Sequence, residues 1–163
     1  MPRGQPGVPV KAPETRLLSE WIAARHPNDR VQLQPRLGAI TPEMSDAGLS
    51  SAELAMLGVW RRYPDAILFY SSSVTIVECC LKPDPGKIGV LKVYRHLFPL
   101  TPEFADFKSY RIDLLVVWAV NDLAAEAVAR MDGISVEVFA PPWITEYLSW
   151  LRPRDRRAAR LPS

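Results

Sequence analysis

Apolar positions along the chain fall into helical stripes at the two ends and into near-continuous runs in the middle. A helix opens at Pro13 and Glu14, with Leu17, Leu18, Trp21 and Ile22 on one stripe, and stops at His26-Pro27-Asn28-Asp29. Val31 to Leu37 reads as a strand, with Val31, Leu33 and Pro35 on one side. Thr41-Pro42-Glu43 begins a helical or looped insertion, in which Ser50 or Ser51 caps a short helix through Leu57. Ala66 to Tyr70 and Val74 to Leu81 are two strands joined by the turn Ser71-Ser72-Ser73.

Pro83-Asp84-Pro85-Gly86 breaks the chain, and a helix then runs to Phe98, burying Ile88, Leu91, Tyr94 and Leu97 or Phe98. Ile112 to Val120 is almost entirely apolar, as a strand buried on both faces requires. Asp122 caps a helix to Met131, Gly133 ends it, and Ile134 to Phe139 is a last strand. Pro141-Pro142-Trp143 starts a closing helix whose Ile144, Tyr147, Leu148 and Leu151 face inward. A hairpin followed by helical crossovers predicts an α/β domain with a central mixed sheet flanked by helices.

Composition and charge refine this division. The 163 residues are 48% hydrophobic and 23% charged, a globular balance for one domain over residues 14–151. Residues 1–13 hold four prolines and two glycines and are expected to form an extended arm. Residues 152–163 carry Arg152, Arg154, Arg156, Arg157 and Arg160 against Asp155, a basic tail suited to nucleic acid or to an acidic partner chain. With the tail at +4 and residues 1–16 at +2, the net charge of +2 leaves residues 17–151 at −4. No apolar run reaches the roughly 18 residues of a membrane span, and the N-terminus lacks a signal peptide's apolar core. The chain is therefore expected in the cytoplasm or within a virus particle, not secreted by a signal peptide and without a membrane partner. Cys79 and Cys80 are adjacent on a strand, point to opposite faces, and read as reduced thiols.

Candidate chemistry centres on the hairpin. Asp65 precedes its first strand and Glu78 lies in the second, so the two carboxylates can share a hard cation such as Mg²⁺. On the second strand Val74, Ile76, Glu78, Cys80 and Lys82 share a face, with Glu78 and Lys82 about 13 Å apart along the backbone. Each acid also has a plainer reading. Asp65 after Pro64 serves a turn, and Glu78 needs only an ion pair to Arg61, Arg62 or Lys82.

The stretch Tyr63-Pro64-Asp65-Ala66-Ile67, then Val77-Glu78-Cys79-Cys80, then Val90-Leu91-Lys92-Val93-Tyr94 resembles the PD-(D/E)XK nuclease superfamily. The resemblance is closest to the branch whose following helix carries a Gln-x-x-x-Tyr motif, and it implies a restriction-endonuclease-like core. It further implies that Asp65 and Glu78 bind metal and that a lysine two residues after the strand acid activates water. Here that position is Cys80, and the glutamine position is Val90. Glu14 on the first helix stands where the family often has a supporting acid. The two departures point first to a nuclease fold with a degraded motif, serving as a non-catalytic structural or adaptor component of a larger assembly such as a phage particle. The alternative is a Mg²⁺-dependent endonuclease using Asp65 and Glu78, with Lys82 as a migrated lysine. A further alternative is a DNA-binding module that does not cleave.

Overall fold

A computed structural model describes residues 12–39, 48, 50 and 62–158, with side chains described as far as Leu151. Of the arm expected over residues 1–13, residues 1–11 lie outside the described residues, as do residues 51–57 of the expected insertion helix and Arg160, while Pro13 already belongs to a helix.

Helix α1 (Pro13–Arg25) leads into strand β1 (Arg30–Leu33), and β2 (Ala66–Phe69) and β3 (Ser73–Cys80) form the hairpin. Helix α2 (Pro85–Leu97) follows, then two short 3₁₀ turns (Phe98–Leu100 and Pro102–Phe107), strand β4 (Arg111–Trp118), helix α3 (Leu123–Met131), strand β5 (Ser135–Val138) and helix α4 (Trp143–Ala158). The five strands lie in the order β1-β2-β3-β4-β5 in one open sheet. β1–β2 and β2–β3 are antiparallel, whereas β3–β4 and β4–β5 are parallel, so the chain is an α/β domain with a mixed sheet flanked by helices. The parallel pairs need crossovers, which α2 and α3 supply.

Alternation along the strands splits the core into two layers. Val74, Ile76 and Cys80 of β3 face α2 and α3 and pack with Ile88, Leu91 and Phe98, while Trp118 is buried on the same side. Val77 and Cys79 face α1 and α4 and pack with Leu17, Trp21 and Ile144. Each layer thus has a fully buried tryptophan, the kind of large side chain that dominates burial energetics.

Most strand ends shift by a residue or two from the sequence expectation, and three segments differ more. The strand read over Val31 to Leu37 stops at Leu33, because Gln34 takes a left-handed φ of 44° and Pro35 has no N–H to continue a ladder. Leu33 turns outward at 57% exposure, and Leu37 pairs instead with Arg62 in an isolated bridge. β4 is buried at Leu114 and from Val116 to Trp118, whereas Arg111 to Asp113 are exposed or half-buried and Leu115 is half-buried. Finally, α4 does not stop at 151. Its backbone continues through Ala158, so Arg152, Arg154, Arg156 and Arg157 belong to the helix rather than to a separate tail.

Candidate active site

The β2–β3 register pairs Ala66 with Val77, so one step further along the ladder Asp65 stands opposite Glu78. Asp65 is fixed by both ends of its own residue. Its Oδ2 accepts from the Cys79 N–H at 2.8 Å, and its carbonyl accepts from the Gln34 N–H at 3.0 Å. Glu78 points to the α2 side of β3, in line with Ile76 and Cys80, and is 2% exposed.

A carboxylate this deeply buried needs a partner. Lys87 supplies it, with Nζ donating to Glu78 Oε2 at 2.5 Å. The lysine arrives there because β3 ends at Cys80, a short loop follows, and Asp84 caps α2 by accepting from the Gly86 N–H at 2.8 Å. Pro85 then occupies the first turn, where its missing N–H costs nothing. Lys87 therefore lies in that first turn, on the inward stripe it shares with Leu91 and Tyr94. Its side chain remains 28% exposed.

The electrostatics follow from burial and from two acids placed together. Burial, and then the charge of Asp65, push the Glu78 carboxyl up to about 7, against the opposing pull of Lys87 and Tyr94. Burial alone would lower the Lys87 ammonium. The hydrogen bond to Glu78, with the charges of Glu78, Asp65 and Glu14, outweighs this and holds it above the usual lysine value. Burial raises Tyr94 further, reinforced by Glu78, and its hydroxyl donates to the Tyr63 carbonyl at 3.1 Å. Burial raises Cys80 to about 12 and pushes Cys79 up as well, and both are free, buried thiols.

Two grooves meet at this cluster. One, of about 350 Å³, is lined by Glu14, Cys80, Lys82 and Lys87, and its wall of Lys82, Leu148 and Leu151 is shared with an adjoining hollow of about 400 Å³ beside Asn121 and Asp122. The other, of about 410 Å³, is lined by Glu14, Ser19, Leu33, Gln34 and Asp65. Glu14, in the first turn of α1, is common to both. Glu14 on the first helix is thus brought to one groove with Asp65 and to the other with Lys87.

Of the residues singled out in the sequence, Asp65 and Glu78 come together and Lys82 does not join them. Lys82 lies two residues past the end of β3, where the strand period no longer governs its direction. It is exposed on the groove wall and makes no ion pair among the described residues. Arg62 is exposed and bridges to Leu37 through its backbone, Arg61 lies outside the described residues, and Glu78 makes its ion pair with Lys87. Lys87 itself was missed. The signal was present, because a lysine at 87 precedes Leu91 and Tyr94 by four and seven residues and so falls on a stripe otherwise apolar. The Cys80 position is filled by core contacts. Val90 sits on the outer face of α2 and not toward the acids.

No set of three or more His, Cys, Asp or Glu residues placed to hold a metal ion occurs among the described residues. The donor chemistry still fits a hard cation. Mg²⁺ is commonly held by one or two carboxylates, with water and substrate phosphate completing its shell, and Asp65 and Glu78 offer such a pair of oxygen donors.

No helix among the described residues is long and apolar enough to cross a membrane. No family model matches the chain, and no curated protein matches it. Among solved structures, the crystal structure of AF1548, a protein of unknown function, superposes on 87% of this chain with a TM-score of 0.46 and 10% identity. The chain spans 66% of that protein's length.

Proposed function

We propose that this chain is a metal-dependent nuclease of the PD-(D/E)XK type, with Asp65 and Glu78 holding Mg²⁺ and Lys87 in the role first assigned to Lys82. The observation that carries this reading is the Lys87 ammonium at Glu78, across the hairpin register from Asp65. Loss of lysine from the strand motif is thereby made good from the next helix. Mg²⁺, when bound, would stabilise developing charge on a phosphate and lower the pKa of a bound water. The chain's own residues then have separate tasks. The Cys79 N–H orients Asp65, Glu78 holds Lys87, and the ammonium offers a positive charge on the edge of the groove. α4 lines the same groove through Leu148 and Leu151 and carries four arginines in the turns that follow, a placement suited to nucleic-acid phosphates.

The non-catalytic reading, as a structural or adaptor part of an assembly, has its own supporting observation. Glu78 is almost fully buried, and its bond to Lys87 is also what a purely structural ion pair would look like. Cleavage assays separate the two. Wild-type protein with Mg²⁺ or Mn²⁺ should cut plasmid or single-stranded DNA. Asp65→Asn and Lys87→Met should each lose roughly 10²–10³-fold, and Lys82→Ala should stay near wild type. No cleavage of any DNA or RNA by wild-type protein with either cation favours the non-catalytic reading. Full activity in Lys87→Met would remove Lys87 from the site.

A further inference from the structure

The ammonium and a cation are drawn to the same place. Glu78 accepts from Lys87 at 2.5 Å, has Tyr94 as a second hydrogen-bonding neighbour, and is 2% exposed, so little of the carboxylate is open to solvent. Asp65 faces it across the ladder and adds a second negative charge. A divalent cation held by these two carboxylates would have to compete with the Lys87 ammonium for Glu78. A divalent cation and an ammonium a few ångströms apart repel strongly in a partly buried setting. One of them must move, and Lys87 is able to. Its backbone is pinned by the Asp84 cap and Pro85, but its side chain is partly exposed and lines the groove shared with Glu14 and Lys82.

We propose that Lys87 is a built-in competitor for the cation: in the cation-free protein its ammonium occupies Glu78, and a divalent cation displaces it into the groove. This rests on reading Asp65 and Glu78 as the cation site and adds to it how that site is controlled. Cation entry then does two things together. It completes the carboxylate site, and it turns the lysine from a structural counter-ion into a free positive charge where a substrate phosphate would lie. The resting protein is held with its lysine withdrawn, and cation affinity is set by the residue being displaced.

Two measurements on the full chain test this without relying on cleavage. The first is Mn²⁺ binding by calorimetry at pH 8. Lys87→Met should bind roughly tenfold more tightly than wild type or better, because the repelling charge is gone, and Asp65→Asn should lose binding. The second uses wild-type protein alone and so survives any folding failure of the variant. Amine acetylation read by mass spectrometry should modify Lys87 several-fold faster with Mn²⁺ than with EDTA, while exposed Lys108 reacts equally in both. Mn²⁺ bound by wild type and lost in Asp65→Asn, with Lys87→Met no tighter and the Lys87 labelling rate unchanged, overturns the competitor role and leaves the cation site standing. Absence of Mn²⁺ binding in wild type and Lys87→Met alike overturns both.

Discussion

Glu78 places a titratable group where ionisation opposes folding. Its carboxyl is raised from an ordinary 4.5 to about 7 by burial and by Asp65. A group raised in the folded state favours the folded protein fully below its unfolded value, and that contribution is lost as pH rises through the folded value. In EDTA, stability should therefore fall between about pH 5 and pH 8, by on the order of 3 kcal/mol for a shift of this size. Thermal or urea unfolding measured across that window should show the decline, and Glu78→Gln should flatten it. An equal slope in the variant would assign the effect to other groups. Cys80 belongs to the same strand face but to different chemistry. It packs among Ile76, Ile88 and Trp118, so restoring the motif lysine at this position would bury an ammonium in an apolar layer instead of rebuilding the site.

At the scale of elements, the N-terminus of α2 decides where Lys87 points. Asp84 and Asp122 are two caps of one kind. Asp84 accepts from Gly86 N–H, and Asp122 accepts from Ala124 and Ala125 N–H. Replacing either by alanine should cost about 1 kcal/mol of stability. Only Asp84→Ala should also weaken Mn²⁺ binding or change Lys87 labelling, because Lys87 lies three residues beyond that cap and its N–H bonds to the Asp84 carbonyl. Unfolding and binding measured on both variants check the distinction, and equal effects on binding would deny α2's N-terminus a positioning role. The helix ends were legible in the sequence for the same local reasons. Pro13, Asp84-Pro85, Asp122 and Gly133, the last at φ 68°, each act on backbone within a few residues. The strand at Val31 to Leu37 was read too long, because the left-handed turn at Gln34 has no strong residue signal and only the sheet partner shows where pairing stops.

On the scale of the whole molecule, the sequence puts five arginines after Leu151, the residue that with Leu148 lines the groove wall. Truncation after Leu151 keeps the buried Ile144 and the packed Leu148, so the body should stay folded by circular dichroism. It removes five arginines. Affinity for single-stranded DNA should drop, and the slope of log affinity against log salt should become shallower by up to about 3–4, as each lost phosphate contact reduces it by about 0.7. An unchanged slope would detach these arginines from nucleic-acid binding. The α/β class, the hairpin, the two crossovers and the opposition of Asp65 to Glu78 across the hairpin were legible in the sequence alone, because alternation, helical spacing, caps and turns act between near neighbours. Which lysine reaches Glu78 was not. Strand period favoured Lys82, four residues on, but β3 ends at Cys80, and the chain turns back through Asp84 so that Lys87 meets the carboxylate across space. That pairing depends on where a strand stops and how a helix packs over a sheet, and only the tertiary structure decides both.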